Sequence, residues 1–221
     1  MNETFYDAMR LSIQVSVTAT VLVVIAGGVA AYLLAMYRFR GRNLIDMLLT
    51  LPLVLPPTVT GYYLVVVFGK NGYIGRYVYE LTGWSVMFTW YGAVLASFTV
   101  SLPLMVKIAR AAIESVDKNL IDASRTLGHT ELTTTFRVIL PLAGRGITAA
   151  VVLSFARAMG EFGATLMVAG NLPGKTATMS LAIYSLSSNG QWPEANLMVV
   201  FLTALSGIFL YLANRYGGKL I

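Results

Sequence analysis

Five stretches of this chain are long, apolar and almost free of charge, and that pattern constrains the fold more than any other feature. Residues 11–37 hold no charged side chain over 27 positions, residues 47–69 none over 23, and residues 81–106 none over 26. Residues 146–170 run for 25 positions with Arg157 and Glu161 inside them, and residues 195–214 add 20 uncharged positions. A bilayer core about 30 Å thick is crossed by roughly 20 apolar residues of helix. The expected fold is therefore all-α and integral to a membrane, with about five transmembrane helices. Residues 176–187 are uncharged too, but 12 positions are too few and too polar to cross. They are expected to form a re-entrant or interfacial segment, with a sixth short membrane helix as the alternative.

Composition supports the same class. Hydrophobic residues make up 57% of the chain and charged residues only 12%, about half the charged share of a soluble domain. Too little charge is present to cover a water-soluble surface, which argues against a cytosolic enzyme, a nucleic-acid binder or a disordered regulator. There is no cysteine and one histidine, so disulfides, thiol catalysis, zinc–thiolate sites and His-cluster metal sites are excluded. No linker, low-complexity tract or short repeat divides the chain, and residues 1–221 read as a single transmembrane domain. The N-terminal ten residues lack a basic signal region, and the first span is longer than a cleavable one.

The net charge of +6 follows from topology. Segment 38–42 carries three arginines, residues 107–145 carry six basic residues, and Arg215 and Lys219 follow the last span. Placed on one side, these make eleven, against Arg10, Lys70, Arg76 and Lys175 on the other. The positive-inside rule then puts the N-terminus outside and the C-terminus in the cytoplasm. Tyr and Trp residues from Tyr62 to Trp192 crowd the outer ends of the spans, as in an interfacial aromatic belt.

The cytoplasmic loop at residues 107–145 is amphipathic. Ala109, Ala112, Ile113, Val116, Leu120 and Ala123 recur at helical spacing. Asp117 or Asn119 can cap a short helix starting near Leu120, Gly128 can end it, and Leu132, Phe136 and Ile139 continue a helix up to Pro141. Within this loop, Asp122-Ala123-Ser124, then Gly128, then Val138-Ile139-Leu140-Pro141 resemble the EAA loop of permease subunits in ABC importers. The spacing agrees at every element, with Asp for Glu, Ser for the second Ala and Val for Ile. The resemblance implies a coupling helix that docks on a separate ATP-hydrolysing subunit. Asp122 would then meet a basic partner there, and Gly128 would make the turn that ends the helix. It also implies that ATP and Mg are held by that ATPase and that no cofactor is bound by this chain. The chain itself has no GxxxxGK[ST] phosphate cradle.

Further stretches resemble the molybdate-type permeases and their tungstate and sulfate relatives. They are residues 51–61 (LPLVLPPTVTG), 68–72 (FGKNG), 156–165 (ARAMGEFGAT) and 169–176 (AGNLPGKT), followed by Ala182-Ile183-Tyr184. The resemblance implies a homodimeric permease in a prokaryotic inner membrane, two ATPase copies, and an extracytoplasmic oxyanion-binding protein that delivers molybdate, tungstate or sulfate.

The residues of the candidate pathway have their own logic. Pro52, Pro56 and Pro57 remove backbone donors from the second span, and freed backbone groups in a membrane must face protein or a wet cavity. Thr58, Thr60 and Gly61 would offer hydroxyls and close backbone approach to a small oxyanion. The alternative is a kink that serves packing alone. Arg157 and Glu161, four residues apart, can pair on one helical face. Arg157 either lends transient positive charge to an anion or, with Glu161, neutralises itself and holds a helix or dimer interface. Gly163 belongs to the glycines that permit tight packing or a bend. His129 beside Gly128 reads as a surface residue. A membrane-embedded enzyme using Glu161 or His129 lacks paired carboxylates, HExxH and GxSxG. A non-transporting scaffold or an ATP-independent channel would have no use for the 122–141 spacing.

Overall fold

The structure is a computed structural model that describes residues 2–217; Lys219, counted above with the basic side, lies outside them. Among the described residues the fold is helical without strands. In chain order it runs α1 (Asn2–Met36), α2 (Arg42–Val54), α3 (Pro57–Phe68), α4 (Gly75–Thr82), α5 (Trp90–Glu114), α6 (Lys118–Thr126) and α7 (Glu131–Thr134). After a π turn (Thr135–Ile139) come α8 (Leu140–Met159), α9 (Gly163–Ala169), α10 (Met179–Ser188) and α11 (Trp192–Gly217). Among the described residues, four helical runs are long and apolar enough to cross a membrane, namely Thr4–Met36, Trp90–Glu114, Glu131–Met159 and Trp192–Tyr211.

The second of the five expected spans is not one helix. Leu55 and Pro56 each precede a proline, which pushes them out of the helical region. Both are extended, at ψ 143° and 137°. Pro57 then starts α3 at a position where the missing N–H costs nothing. The third span begins at Trp90, later than residue 81, because Gly83 in the left-handed region (φ +68°) ends α4. Thr89 restarts the helix as a cap, its hydroxyl accepting the Gly92 N–H at 3.3 Å.

The fourth span differs at both ends. The helix continues through Pro141 instead of stopping there. The π turn lets the Leu140 N–H bond the Thr135 carbonyl, and Pro141 falls in the first turn of α8, where a proline is tolerated. At the far end α8 stops at Met159, and residues 163–169 form a separate short helix. Residues 179–188 make a ten-residue helix, about 15 Å long and half a bilayer deep. It packs between α1 and α11, where Ala8, Met179, Ala182 and Met198 are buried together. The Met179 N–H donates to Ser12 Oγ at 2.7 Å.

Helix α5 is the centre of the bundle, packed against α1, α2, α8 and α9. Half of its buried residues are small, Gly92, Ala93, Ala96, Ser97, Ser101 and Ala109, which is how membrane helices gain close contact without a hydrophobic driving force between them. At the α6 end an ionic clasp ties three helices. Asp46 on α2 bonds Lys107 Nζ at 2.9 Å and Arg110 Nη1 at 3.2 Å, and Glu114 bonds Arg110 Nε at 2.9 Å and Arg42 Nη2 at 3.0 Å. Arg42 Nε also donates to the Leu34 carbonyl at the end of α1, at 2.8 Å.

The hydrogen bond from Lys107, with the charges of Lys107 and Arg110, holds the Asp46 carboxyl below its ordinary value. A depressed carboxyl contributes stability that is present above the unfolded value of about 3.9 and is lost as pH falls through the lower folded value. Melting of the detergent-solubilised protein is therefore expected to fall more steeply below about pH 4 in the native chain than in Asp46→Asn. Parallel pH profiles for the two would remove Asp46 from the clasp's energetics.

Candidate functional site

Two groups of singled-out residues come together, at opposite ends of α8. At one end α6 is a surface helix with a rooted inner face. Asp117 caps it by accepting the Asn119 N–H at 2.9 Å. Ile121 is buried with Ile113, Val116, Ile139 and Ala143, and Tyr32, Ala112 and Ile147 pack on that cluster. The helix is thereby anchored to α1, α5 and α8. Gly128 follows at φ +81° with open space around its α-carbon. This left-handed conformation is one that only glycine, or less readily asparagine, adopts without strain.

Ser124, the residue at the second Ala position of the loop motif, is buried. Its Oγ lies 2.9 Å from Thr134 Oγ1 and 3.2 Å from His129 Nδ1. These bonds pin the chain leaving α6 to α7. Arg125 makes a two-pronged bond to Glu131, Nε to Oε1 at 2.9 Å and Nη2 to Oε2 at 3.1 Å, and that partner raises its pKa above the ordinary value. Asp122 is left exposed, with a long 3.4 Å contact to Arg125. On the same loop Leu120, Leu127, Leu132 and Phe136 are exposed, with Leu127 77% exposed. Ala123 and Pro141 are exposed, and Leu140 is half-buried. The surface is thus a firm apolar knob carrying one exposed carboxylate, weakly paired with Arg125. Leu127 was not singled out from the sequence; an apolar residue directly before a helix-ending glycine was the available signal.

At the other end α8 breaks. Arg157 Nη1 and Glu161 Oε2 pair at 2.7 Å, but Glu161 lies beyond the helix end, so the pair spans the break and does not sit along one helical face. The Glu161 side chain is 1% exposed and that of Arg157 30%. Glu161 Oε1 also accepts the Ala164 N–H at 2.8 Å, tying the start of α9 to the end of α8. The carboxylate is therefore satisfied twice, once by a cation and once by an amide left free at a helix start.

Helix α9 lies against α3 with almost no side chain between them. A Cβ on Gly61 would stand 2.8 Å from Met167 Cβ and 2.9 Å from Ala164 Cα, and one on Gly163 would stand 3.0 Å from Pro57 Cβ. The proline break in the second span and the break after α8 thus meet across Gly61 and Gly163. Pro56, Pro57 and Thr58 are exposed at this junction, while Thr60 is buried. The hydroxyls of Thr60 on α3, Ser154 on α8 and Thr165 on α9 are buried without a hydrogen-bond partner among the described residues. Ser154 went unremarked in the sequence, and Thr165 stood only as the last residue of the 156–165 run, because an isolated hydroxyl in an apolar helix carries no pattern. The junction offers neutral donors, with its one nearby carboxylate already neutralised. Gly61→Val is expected to destabilise the protein by about 1–3 kcal/mol through overpacking, read as a lower melting temperature with the α6 surface intact. An unchanged melting temperature would mean that α3 and α9 separate freely.

The family described as "Binding-protein-dependent transport system inner membrane component" matches residues 23–219. The chain is 41% identical to the molybdenum transport system permease protein ModB of Haemophilus influenzae, over 94% of this chain and 91% of that one. It is 42% identical to the protein of the same name from Escherichia coli, over 95% and 92%. It is 32% identical to the sulfate transport system permease protein CysT of Salmonella typhimurium, over 97% and 78%. The fold is shared with a bacterial ABC transporter involved in the import of alginate, at a TM-score of 0.79 and 14% identity, covering all of this chain and 81% of that one. It is shared also with an inward-facing methionine ABC transporter, at 0.72 and 15% over 96% and 92%. With its helical membrane fold and a family match across nearly its whole length, the chain belongs to the inner-membrane components of binding-protein-dependent transport systems.

Proposed function

We propose that this chain is the membrane-spanning permease subunit of an ATP-driven importer of molybdate, working as a homodimer. A separate ATPase subunit docks on α6 of each copy, and an extracytoplasmic oxyanion-binding protein docks at the opposite face. The N-terminus lies outside and the C-terminus in the cytoplasm. The observation that carries the coupling role is the surface of α6, where exposed Leu120, Asp122 and Leu127 sit on a helix whose other face is buried in the bundle. A helix rooted this way moves with α5 and α8 when a partner pushes on it. The ATPase holds ATP and Mg, and no cofactor is assigned to this chain.

The two ends of α8 give the motion a route. Ile139 and Ala143 at one end share the cluster under α6. Arg157 and Glu161 at the other end hold the start of α9. Displacement of α6 therefore shifts the α3–α9 junction through a stiff helix. The two-fold partner would complete a pathway between copies, lined near the break by Pro56, Pro57, Thr58 and the partly exposed Arg157, with Thr60, Gly61, Glu161 and Gly163 buried behind them. Neutral hydroxyls and amides suit a tetrahedral dianion that has to leave again, because a bare fixed cation would hold it.

Molybdate is favoured by the relatives that match at 41% and 42% identity. The 32% match to a sulfate permease keeps sulfate as the second reading, with tungstate chemically close to molybdate. ATP-dependent uptake by the reconstituted complex with its binding protein is expected for labelled molybdate, with competition by tungstate. Sulfate uptake that excess molybdate leaves untouched would reverse the choice of anion.

A further inference from the structure

We infer that a cavity at the end of the bundle opposite α6, bounded by Lys70, Asn71, Arg76 and Ser85, is a receiving site for a tetrahedral oxyanion on the outer face of the permease. The assignment of that face as outer rests on the reading above. The cavity measures about 790 Å³, and no acidic residue lines it. Its walls are apolar, from Val65, Val66, Met87 and Phe88, and its floor includes Met167 of α9.

The state of the two cations carries the inference. At the α6 end Arg42, Lys107, Arg110 and Arg125 are each paired with a carboxylate; Arg38, Arg40, Lys118, Arg137 and Arg145 are not, among the described residues, and what sets Lys70 and Arg76 apart is that they share one cavity with no acidic residue in its lining. Among the described residues, neither Lys70 nor Arg76 has a carboxylate oxygen within 4.0 Å, although Glu80 stands one helical turn after Arg76. They are held instead by tyrosines, Lys70 Nζ 4.1 Å from the centre of the Tyr79 ring and Arg76 Cζ 4.5 Å from that of Tyr77, with Arg76 Nη2 also donating to the Tyr77 hydroxyl at 2.5 Å. A ring positions a cation without neutralising it. The charge stays available to an anion, and the side-chain freedom lost on binding is reduced.

The backbone presents these groups on a stiff turn. Residues 69–75 fold back onto the end of α3, with the Tyr73 N–H bonding the Val66 carbonyl at 3.1 Å and the Ile74 N–H bonding Val67 at 2.8 Å. Gly72 and Gly75 press on backbone carbonyls where a Cβ has no room. The Asn71 amide and the Ser85 hydroxyl add neutral donors beside the two charges. A tetrahedral oxyanion takes a forked guanidinium, an ammonium and such donors together.

The wall at Phe88 links this site to the pathway. Phe88 has φ +57°, rare and strained for an aromatic residue. It is held there by its N–H donating to the Val168 carbonyl on α9 at 3.1 Å, and its ring lies 3.1 Å from where a Gly170 Cβ would sit. Phe88 also lines a second cavity, of about 450 Å³, with Arg10 and Lys175. Movement of α9 therefore moves both the wall and the floor of the oxyanion site.

The test uses the full-length permease with its ATPase in nanodiscs of zwitterionic lipid at low salt, without nucleotide or binding protein. Titration with molybdate and with sulfate is expected to show saturable binding that weakens as salt rises. Lys70→Gln/Arg76→Gln should weaken it about tenfold or more, while Arg10→Gln/Lys175→Gln should change it less than about threefold. A second arm adds phosphatidylglycerol. If soluble anion binding is quenched in the native protein and the Lys70/Arg76 variant loses its retained lipid, a headgroup phosphate is the resident oxyanion; without quenching it is the soluble anion. Soluble anions and phosphatidylglycerol both bound by the variant as by the native protein, at an unchanged melting temperature, would overturn the site. In a separate pull-down with the binding protein, a variant that loses that association while binding soluble anions and phosphatidylglycerol as the native protein does would also overturn the site and assign the two cations to protein docking. The readout needs neither transport nor a choice between molybdate and sulfate. Failure of the uptake experiment above and failure of this one are therefore distinguishable.

Discussion

Arg157→Ala is expected to lower the stability of the permease by about 3 kcal/mol, the low end of what removing one member of a buried ion pair costs. Its partner makes the change expensive. The Glu161 side chain is 1% exposed, so the variant leaves a buried carboxylate with only the Ala164 amide to stabilise it. For a chain of this size, about 3 kcal/mol corresponds to roughly 6–12 °C in melting temperature. Glu161→Ala should cost less, about 2 kcal/mol, because a partly exposed Arg157 can turn toward water and the main loss is the bond to the Ala164 N–H. The double variant should recover at least about 1 kcal/mol relative to the sum of the singles. Thermal melting of all four proteins in one detergent measures the cycle. If Arg157→Ala melts like the native protein while uptake collapses, the arginine acts on the anion and the structural pairing is incidental.

The second large effect concerns coupling. Gly128→Pro is expected to reduce co-purification of the ATPase at least about tenfold, because proline holds φ near −65° and has no N–H. The native residue stands at φ +81° and donates to the Arg125 carbonyl at 2.9 Å. Both losses fall on the last turn of α6, which carries Leu127 to its exposed position. Gly128→Asn should retain most of the interaction, since asparagine tolerates the left-handed region. Leu127→Asp separates docking from folding. That side chain is 77% exposed, so its replacement should leave melting unchanged and still lose the ATPase, as charge introduced into an apolar contact does. Full ATPase retention with Leu127→Asp would place the docking surface elsewhere.

Much of this molecule is legible in one dimension because a membrane imposes one-dimensional rules. The first and third spans could be counted from uncharged runs, since a lipid-facing helix must satisfy its own backbone and cannot leave charge in hydrocarbon. The loop helix was legible for a different reason. Asp117 and the glycine at 128 are local signals, and capping chemistry acts within a few residues, whereas the apolar face expected through Leu120 and Ala123 is exposed and Ile121 and Ser124 are buried in its place. Proline marked the break in the second span because its effect on the preceding residue is local as well.

Other features depended on groups distant in sequence. Nothing near Asp46 announces Lys107 and Arg110, and nothing near Ser124 announces that it will be buried against Thr134. The apolar run of residues 146–170 carried glycines that permit a bend, but that it would divide after Met159 was not legible, because α9 becomes a separate helix only when Gly61 and Gly163 admit it against α3. Phe88 shows the same limit, its strained φ being held by a carbonyl on α9. The sequence by itself determined the membrane class, the presence of a short helix in the 107–145 loop and the break at Pro56. The tertiary structure decided where the breaks meet, which charges are neutralised and which, like Lys70 and Arg76, are left free. Hydropathy and capping are set by neighbours along the chain, whereas pairing and close packing are set by neighbours in space.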